Sequence, residues 1–452
     1  MSTPIADIYA LRPRALWQAF ATDNFAFWMS CAYLFFEYVR PQAIWSIFAL
    51  YPSWGRTFIF LAFIGWLLDP KHRFVWNKIT TGIFVFLILI ILSSFNAYWP
   101  DVSWKYFMDY FNWVVVYFVL TQTVTTRQRF FILLLIFFLA SFKLSFFGAK
   151  TWTLRGFSFT SWGLMGPQGF FQNSGELAIQ MLVFAPIAAF FVIGIKSYLK
   201  IWQVRLLYLM PITAAMTILG TSSRGSQLAL MVQLILSILT TKRRIRTLII
   251  IGLVSAIGYQ LLPQEQRVRF EEAGSDDTSV QRLLYWQHGW QMIKDHPYLG
   301  VGYFNFPPYY TLHHANDLVG MTARRGKAEL PHNIFIQVGT DTGFTGLVVF
   351  LALIAAGLLT MRRIGKEAGR HGDIFVASLT KGMNLALLGY VIAGQFVTVA
   401  YYPFLWIHLV FVTVIHTFWH HEKNRIVEEV VIKNSVRKSG VPQLFPFKNN
   451  LK

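Results

Sequence analysis

The chain has 452 residues, of which 55% are hydrophobic, 17% are aromatic and only 13% are charged, and its formal net charge is +19. A soluble domain carries roughly 25% charged residues, so this composition argues against a soluble globular protein. The single cysteine, Cys31, excludes an intrachain disulfide and a cysteine-based zinc cluster. Because the basic residues cluster between apolar segments, we attribute the charge to membrane topology rather than to nucleic-acid binding.

Apolar segments of nearly the length needed to cross a ~30 Å hydrocarbon core recur along the chain. They predict an all-α polytopic membrane protein with about twelve transmembrane helices. The predicted spans are 22–39, 55–69, 79–97, 106–124, 130–147, 176–195, 205–221, 225–240, 246–262, 333–360, 379–400 and 403–420. The stretch 41–50 is too short to span alone and is typical of a re-entrant or interfacial piece.

These spans divide the chain into four parts. Residues 1–262 would hold the first nine transmembrane helices, and 333–420 the last three. Between them, 263–332 is predicted to be one large periplasmic loop, and 421–452 a basic cytoplasmic tail. Lys and Arg mark the cytoplasmic side of a membrane, and an inside N-terminus makes every short inside loop basic. Both termini are therefore expected to be cytoplasmic, with the basic loops against anionic membrane lipids.

Residues 148–175 are predicted to form the outer loop before the sixth span, and this loop contains Arg155. Asn173 and Glu176 stand at the start of that span, where free backbone N–H groups of a helix N-terminus could meet an anion. The simpler interpretation is that Asn173 or Glu176 caps the helix. Arg155 is a further outward-facing cation.

Thr221-Ser222-Ser223-Arg224-Gly225 joins two spans on the predicted outer side. Arg224 is a basic residue on the predicted outer side, where Lys and Arg are less frequent than on the inside. It is either an arginine that snorkels from a helix end or a guanidinium whose planar fork binds a phosphate.

The large loop contains a predicted helix that begins near Asp277 and continues to Ile293. Arg282, Trp286 and Gly289 lie near one face of it at helical spacing. This face could hold a diphosphate and a sugar together. It could also be the face of an amphipathic helix that lies on the bilayer, and the two interpretations are compatible.

Pro331-His332-Asn333 leads directly into an apolar span, which predicts that His332 lies where the loop meets the membrane bundle. An imidazole with an ordinary pKa near 6.5 can accept a proton at neutral pH. A lone histidine is more often structural, and no second ligand at metal-binding spacing accompanies this one. We therefore expect no metal there. The other histidines of the loop, His288, His296, His313 and His314, are interpreted as structural.

Asp341 follows inside the span, among small residues that include Gly343 and Gly346. A carboxylate at this depth predicts a polar partner or a water-filled cavity. The glycines would permit a kink or close helix packing.

Together, these residues resemble the O-antigen ligase/polymerase superfamily. Thr221 to Gly225 resembles the family's S-R-G signature, and Arg282 to Trp286 followed by His296-Pro297 and Gly300-Val301-Gly302 resembles its "R…W…hPl-GvG" stretch. His332-Asn333 with Gly343 and Gly346 resembles "HN…E-x-G-x-x-G", although Asp341 replaces the usual Glu. Phe171 to Ala178 resembles the "N…LA" element, and Tyr38 to Gln42 resembles exosortase-associated O-glycosylation ligases.

The resemblance implies a metal-independent, GT-C-like membrane glycosyltransferase without a cofactor. Its donor would be a glycan on undecaprenyl diphosphate, and its acceptor a hydroxyl of lipid A–core, of another glycan or of a protein. By the same resemblance, His332 would activate the acceptor, and Arg224 and Arg282 would hold the diphosphate. Arg155, Asn173, Asn333 and Trp286 would contact substrate.

Three alternatives stay open at this point. A polymerase would use the same donor and motifs as a ligase, so the sequence does not separate them. A transporter of lipid-linked glycans predicts charges along the spans and a repeat between halves, and neither is visible. An acyltransferase using His332 would not need several outward arginines.

Overall fold

A computed structural model describes residues 4–51, 53–70, 72–158, 163–239, 245, 252 and 276–439. Within these ranges the chain is helical, and its only extended pairing is a single backbone bridge between Gly163 and Thr221. The α-helices in chain order are α1 (Ile5–Tyr9), α2 (Pro13–Ala21), α3 (Phe25–Val39), α4 (Ser46–Ala49), α5 (Trp54–Leu68), α6 (Lys78–Phe95), α7 (Pro100–Thr123), α8 (Arg127–Leu154), α9 (Ser174–Ile195), α10 (Ile201–Leu207), α11 (Leu209–Gly220), α12 (Arg224–Leu239), α13 (Asp277–Asp295), α14 (Phe306–His313), α15 (Gly320–Arg325), α16 (Ile334–Arg370), α17 (Ile374–Ala393) and α18 (Pro403–Ser439).

Every predicted span except the ninth overlaps one of these helices. The ninth, 246–262, lies almost entirely outside the described residues. Seven helical segments of the described chain are long and apolar enough to cross a membrane, namely Lys78–Phe95, Arg127–Leu154, Ser174–Tyr198, Ile201–Gly220, Ile334–Arg370, Ile374–Ala393 and Pro403–Asn424. The expectation of an all-α, multi-pass membrane protein is confirmed.

Helix α16 is longer than its predicted span of 333–360 and carries the expected kink. Gly343 adopts φ 69° and ψ −169° inside it, a conformation that L side chains rarely adopt. The break lets the Phe344 N–H donate to the carbonyl of Pro297 at 2.7 Å. The kink therefore attaches the loop segment after α13 to the membrane bundle.

Helices α9 and α17 pack closely at the centre of the bundle. The backbone of α17 approaches α9 at Gly382, where a Cβ atom would lie 2.7 Å from the Pro186 carbonyl oxygen. Small residues that allow such approach are the usual basis of helix association in membranes. This central pair supports the surrounding helix ends that form the site.

One end of the bundle is held by ion pairs between segments that are all predicted to be inside. Arg127, the first residue of α8, pairs with Asp373 at 2.6 Å and with Glu422 at 2.5 Å. Arg129 pairs with Asp23 at 2.5 Å. The N-terminal segment, the start of α8, the turn between α16 and α17 and the middle of α18 thus meet on one side of the bundle.

The opposite end carries a small subdomain, residues 276–332, which contains α13, α14 and α15 and which we call the outer subdomain after the side of the membrane predicted for it. It has its own apolar core, formed by Tyr285, Met292, Val301, Phe306, Tyr310 and Ala328. Helix α13 lies on α16, where Gly289 faces Ile336 and Gly339 faces Ile293. The Val301 N–H also donates to the Thr340 carbonyl at 2.8 Å. These contacts fix the outer subdomain on the start of α16.

Candidate functional site

The turn between α11 and α12 directs Arg224 toward the outer subdomain. The backbone N–H of Ser222 donates to Ser174 Oγ at 2.9 Å, which ties the turn to the start of α9. Arg224 Nη2 lies 2.7 Å from Asp276 Oδ2, and both side chains are partly exposed. This partner was not predicted from the sequence. The ion pair links α12 to the start of α13.

Asp276 is also the N-cap of α13. Its Oδ1 atom accepts the backbone N–H of Ser279 at 3.0 Å, and its Oδ2 atom accepts the Ser279 hydroxyl at 2.8 Å. Burial would raise the pKa of Asp276, but the hydrogen bonds from Arg224 and Ser279 lower it to about 2. The carboxylate therefore stays charged at any physiological pH.

Arg282 interacts electrostatically with Arg224 and Asp276. Burial lowers the pKa of Arg282, and the charge of Arg224 lowers it further, whereas Asp276 and Glu329 raise it. Its Nε–H is buried and has no hydrogen-bond partner among the described residues. A buried, unsatisfied donor on a guanidinium is a ready contact for an anion.

Trp286, one turn after Arg282, fastens α13 to the start of α16. Its indole N–H donates to the carbonyl of Pro331 at 2.9 Å. Its ring lies 6.1 Å from that of Phe396, and Phe396 in turn packs against Gly225 of α12. The elements that carry Arg224, Arg282 and His332 therefore converge around Trp286 and Phe396.

His332 stands in a strained backbone conformation with φ 51°. Its N–H donates to Thr398 Oγ1 at 2.9 Å, which holds the turn against the segment between α17 and α18. Its Nε2 atom lies 3.5 Å from Glu329 Oε2. Strain of this kind in a residue that bears an imidazole is typical of functional sites.

Glu329 is the acidic partner of His332, and the sequence analysis missed it. Hydrogen bonding to His332 is the largest cause that lowers the pKa of Glu329; burial opposes it, and Arg325 and Arg282 add to it. Glu329 Oε1 also lies 3.0 Å from Arg325 Nη1. A carboxylate held in this way can orient an imidazole and stabilise its protonated form.

A cavity of about 960 Å³ lies near the backbone of His332, although His332 itself is not one of its lining residues. Leu330 and Thr398, which flank the His332 backbone, both lie in its wall. Most of its lining is apolar or aromatic, with polar groups from Asp109, Lys327 and Gln337. The lining residues are Trp99, Val102, Tyr106, Asp109, Gly169, Phe170, Phe304, Pro307, Pro308, Thr311, Leu312, Lys327, Ala328, Leu330, Gln337, Thr398, Tyr401 and Tyr402. This size and mixture fit an organic ligand with both apolar and polar parts.

Two predicted substrate-binding residues have structural tasks. Asn333 accepts the N–H groups of Phe335 and Ile336 at 2.9 and 3.2 Å and so caps α16. Asn173 donates its backbone N–H and its amide to Glu176 at 3.1 and 2.9 Å. Capping, the simpler of the two sequence interpretations for Asn173, accounts for both contacts.

Arg155 lies exposed at the C-terminal end of α8. Within the described residues, no hydrogen bond or ion pair joins it to His332. Further along the chain, the Leu164 N–H donates to the Gly220 carbonyl at 3.1 Å, just before the Ser-Arg-Gly turn.

Of the missed residues, two had a signal in the sequence. Asp276 directly precedes the Asp277-Thr278-Ser279 cluster that predicts the start of α13, and an N-cap one position earlier fits equally well. Glu329 precedes His332 by three residues, a spacing that a search for an acidic partner would have found. Thr398 had no local signal, because it reaches His332 from 66 residues away.

Residues 209–351 match the family model described as O-antigen ligase. This segment belongs to the O-antigen ligase family. The resemblance stated from the motifs is confirmed, and the O-antigen ligase segment contains Arg224, Arg282, Trp286, His332 and Asn333. The comparison with curated proteins gave no match. The family supports a membrane enzyme of the ligase/polymerase type that acts on glycans and lipid-linked substrates.

Proposed function

We propose that this protein is a glycosyltransferase of the bacterial inner membrane that moves a glycan from undecaprenyl diphosphate to an acceptor hydroxyl, as an O-antigen or polysaccharide ligase. The observation that carries the proposal is the charged cluster beside the cavity. In this cluster, Glu329 contacts His332 and interacts electrostatically with Arg282. Arg282 in turn interacts electrostatically with Arg224. With both termini in the cytoplasm, this cluster faces the periplasm.

In the proposed reaction, the acceptor oxygen attacks the anomeric carbon of the donor glycan. A new carbon–oxygen bond forms while the bond from that carbon to the diphosphate oxygen breaks, and undecaprenyl diphosphate leaves with the electron pair. The hydroxyl proton passes to the imidazole of His332 and then to solvent or to the leaving group. Glu329 stabilises the imidazolium while it exists.

The two arginines act on the leaving group. A diphosphate gains charge as the bond to the sugar breaks, and preorganised guanidinium donors stabilise that charge more in the transition state than in the ground state. Arg282 has a buried unsatisfied Nε–H for this task. Arg224, which pairs with Asp276, adds a second positive charge on the same side of the site. In this mechanism the arginines supply the positive charge, and the transfer step uses no metal.

The cavity supplies a place for a substrate next to His332. Aromatic walls such as Phe304 and Tyr402 suit the apolar faces of sugar rings, and Gln337 and Asp109 offer hydrogen bonds to hydroxyl groups. We assign the acceptor to this cavity. Lipid A–core, a second lipid-linked glycan or a protein segment would each present the hydroxyl there. The acceptor that is used separates a ligase from a polymerase or a protein O-glycosylation enzyme.

The test uses purified full-length protein in lipid nanodiscs with an undecaprenyl-diphosphate-linked glycan. Lipid A–core and a free lipid-linked repeat unit are offered as acceptors, and product is followed by mass spectrometry. The variant His332→Ala is compared with wild type and with His371→Ala, since His371 lies at the C-terminal end of α16, at the opposite end of the bundle. Transfer by wild type and His371→Ala, but not by His332→Ala, is the expected result.

The outcomes separate the alternatives. Transfer to lipid A–core identifies a ligase, and extension of the lipid-linked repeat identifies a polymerase. Undiminished transfer by a folded His332→Ala variant would remove the histidine from the mechanism. If wild type transfers glycan to neither lipid acceptor nor to a protein fraction, the proposal of glycan transfer is wrong.

A further inference from the structure

A second group of polar side chains lies on the outer subdomain and has no part in the proposed transfer. His288 Nε2 lies 2.9 Å from Asp317 Oδ2. The ring of His314 stacks on that of His288, with centroids 3.9 Å apart and planes inclined by 27°. One ligand atom from each of the three residues lies within 4.8 Å of the other two.

The three residues come from three separate structural elements. His288 is in the fourth turn of α13, His314 caps the C-terminal end of α14, and Asp317 ends a short 3₁₀ turn. The Asp317 carbonyl accepts hydrogen bonds from Gln281 and Tyr310, each at 3.4 Å. These two contacts restrain the backbone at Asp317.

The chemistry of the group favours a cation. Two stacked imidazoles repel one another when both are protonated. A neutral imidazole keeps a lone pair for a metal ion. The group thus offers two nitrogen ligands and one carboxylate, a set that Zn²⁺ accepts with water as the fourth ligand.

We propose that His288, His314 and Asp317 bind a divalent transition-metal ion of the Zn²⁺ type. Bonds of roughly 2.0–2.1 Å in a tetrahedral site put neighbouring ligand atoms about 3.3 Å apart. Because the three ligand atoms lie within 4.8 Å of one another, side-chain rotations that shorten the longest separation by about 1.5 Å are sufficient. All three side chains are only partly buried, so an ion can enter from the solvent.

The ion would act on the cavity through α14. Pro307, Pro308, Thr311 and Leu312 of this helix line the cavity wall, and His314 directly follows its last residue. A metal ion coordinated by both His314 and His288 would cross-link the end of α14 to α13. The bound metal is therefore expected to stabilise the outer subdomain and to fix one wall of the proposed acceptor cavity.

The test uses the full-length protein, purified through a tag without histidine and stripped of metal with a chelator. Titration with Co²⁺ should give the visible absorption of a tetrahedral complex with one ion per chain, and Zn²⁺ should displace it. His314→Ala and Asp317→Asn should each weaken Zn²⁺ binding at least tenfold. His313→Ala is the matched control, because it removes the neighbouring histidine outside the cluster.

Each result decides the proposal. Failure of the wild type to bind one equivalent of Co²⁺ or Zn²⁺ overturns it. Equal affinity in wild type and Asp317→Asn also overturns it, since an adventitious ion on other groups would account for the binding. Asn has nearly the same size as Asp and can still form a hydrogen bond with His288. A loss of metal affinity in Asp317→Asn would therefore not result from a packing defect. Zn²⁺ should also raise the melting temperature of wild type but not of Asp317→Asn.

Discussion

Glu329 places its Oε2 atom 3.5 Å from the Nε2 atom of His332, so the imidazole at the start of α16 has a carboxylate beside it. The same carboxylate contacts Arg325 at 3.0 Å through its other oxygen. A residue held in this way acts through the histidine. It positions the ring and offsets the charge that the ring acquires.

We therefore expect Glu329→Gln to lower kcat of the proposed glycan transfer by about 10- to 100-fold, with little change in KM for the donor. Glu329→Asp should recover part of the rate, because it restores the charge. In a His332→Ala background, Glu329→Gln should lower kcat hardly any further, because the two residues are expected to act together. Additive losses in the double variant would contradict a shared role.

Asp276 gives a prediction for stability against pH. Its folded-state pKa of about 2 lies below the ordinary value of 3.8. A depressed carboxylate pKa contributes stability above the unfolded value, and this contribution is lost as the pH falls through the folded value. Because the side chain is partly exposed, solvent screening reduces the contribution to about 1 kcal/mol.

The variant Asp276→Asn should therefore melt at a lower temperature than wild type near neutral pH, and the difference should shrink between about pH 4 and pH 2. Differential scanning fluorimetry in detergent measures both melting temperatures. Asp277→Asn, one residue later, is the matched control. A gap between wild type and Asp276→Asn that stays constant down to the lowest pH would show that the Arg224 ion pair contributes nothing.

Trp286 links α13 to the histidine turn through one hydrogen bond, from its indole N–H to the Pro331 carbonyl. Trp286→Phe keeps most of the ring and leaves that carbonyl without its partner, at a cost of about 1 kcal/mol. A small displacement of His332 should follow, and transfer should slow roughly tenfold. Trp290→Phe on the same helix is the control, because Trp290 is exposed. Equal transfer rates for the two variants would show that the Trp286 hydrogen bond does not position His332.

Gly225 of the Ser-Arg-Gly turn is required for close packing. A Cβ atom there would lie 2.3 Å from the ring of Phe396, which packs beside Trp286. Alanine normally favours a helix over glycine by about 1 kcal/mol, but overpacking here should cost about 1–3 kcal/mol. Gly369→Ala in α16 meets no atom within 4 Å and shows the helix effect alone. A melting temperature of Gly225→Ala equal to or above that of Gly369→Ala would disprove the clash.

The apolar lengths and the positions of basic residues were enough to predict most of the helices, because hydrocarbon thickness and charge placement constrain a membrane chain strongly. The kink at Gly343 was also predictable from its residue type. What the sequence did not show is the set of contacts between distant segments. Arg224 with Asp276, and His332 with Thr398, are separated by 52 and 66 residues, and their pairing depends on how the outer subdomain packs on the bundle.

Asp341 illustrates the same limit, because the sequence predicted a polar partner without identifying it. The structure supplies two: Oδ1 accepts the Phe304 N–H at 3.0 Å, and Oδ2 accepts the Tyr401 hydroxyl at 2.9 Å. Phe304 and Tyr401 both line the cavity. The buried aspartate therefore joins the outer subdomain to the segment before α18 and shapes the cavity wall between them.

Asp341→Ala leaves two buried donors without an acceptor and should lower the free energy of unfolding by about 2–4 kcal/mol. Asp341→Asn should cost less, because its amide keeps one acceptor and the Tyr401 hydroxyl can turn to accept from the other side. Asp295→Ala, on the exposed end of α13, should have little effect. Thermal melts establish this order, and KM for the acceptor should rise in Asp341→Ala because Phe304 and Tyr401 lose their anchor. If Asp341→Asn and Asp341→Ala lower the free energy of unfolding equally, the carboxylate charge rather than the two hydrogen bonds stabilises this wall of the cavity.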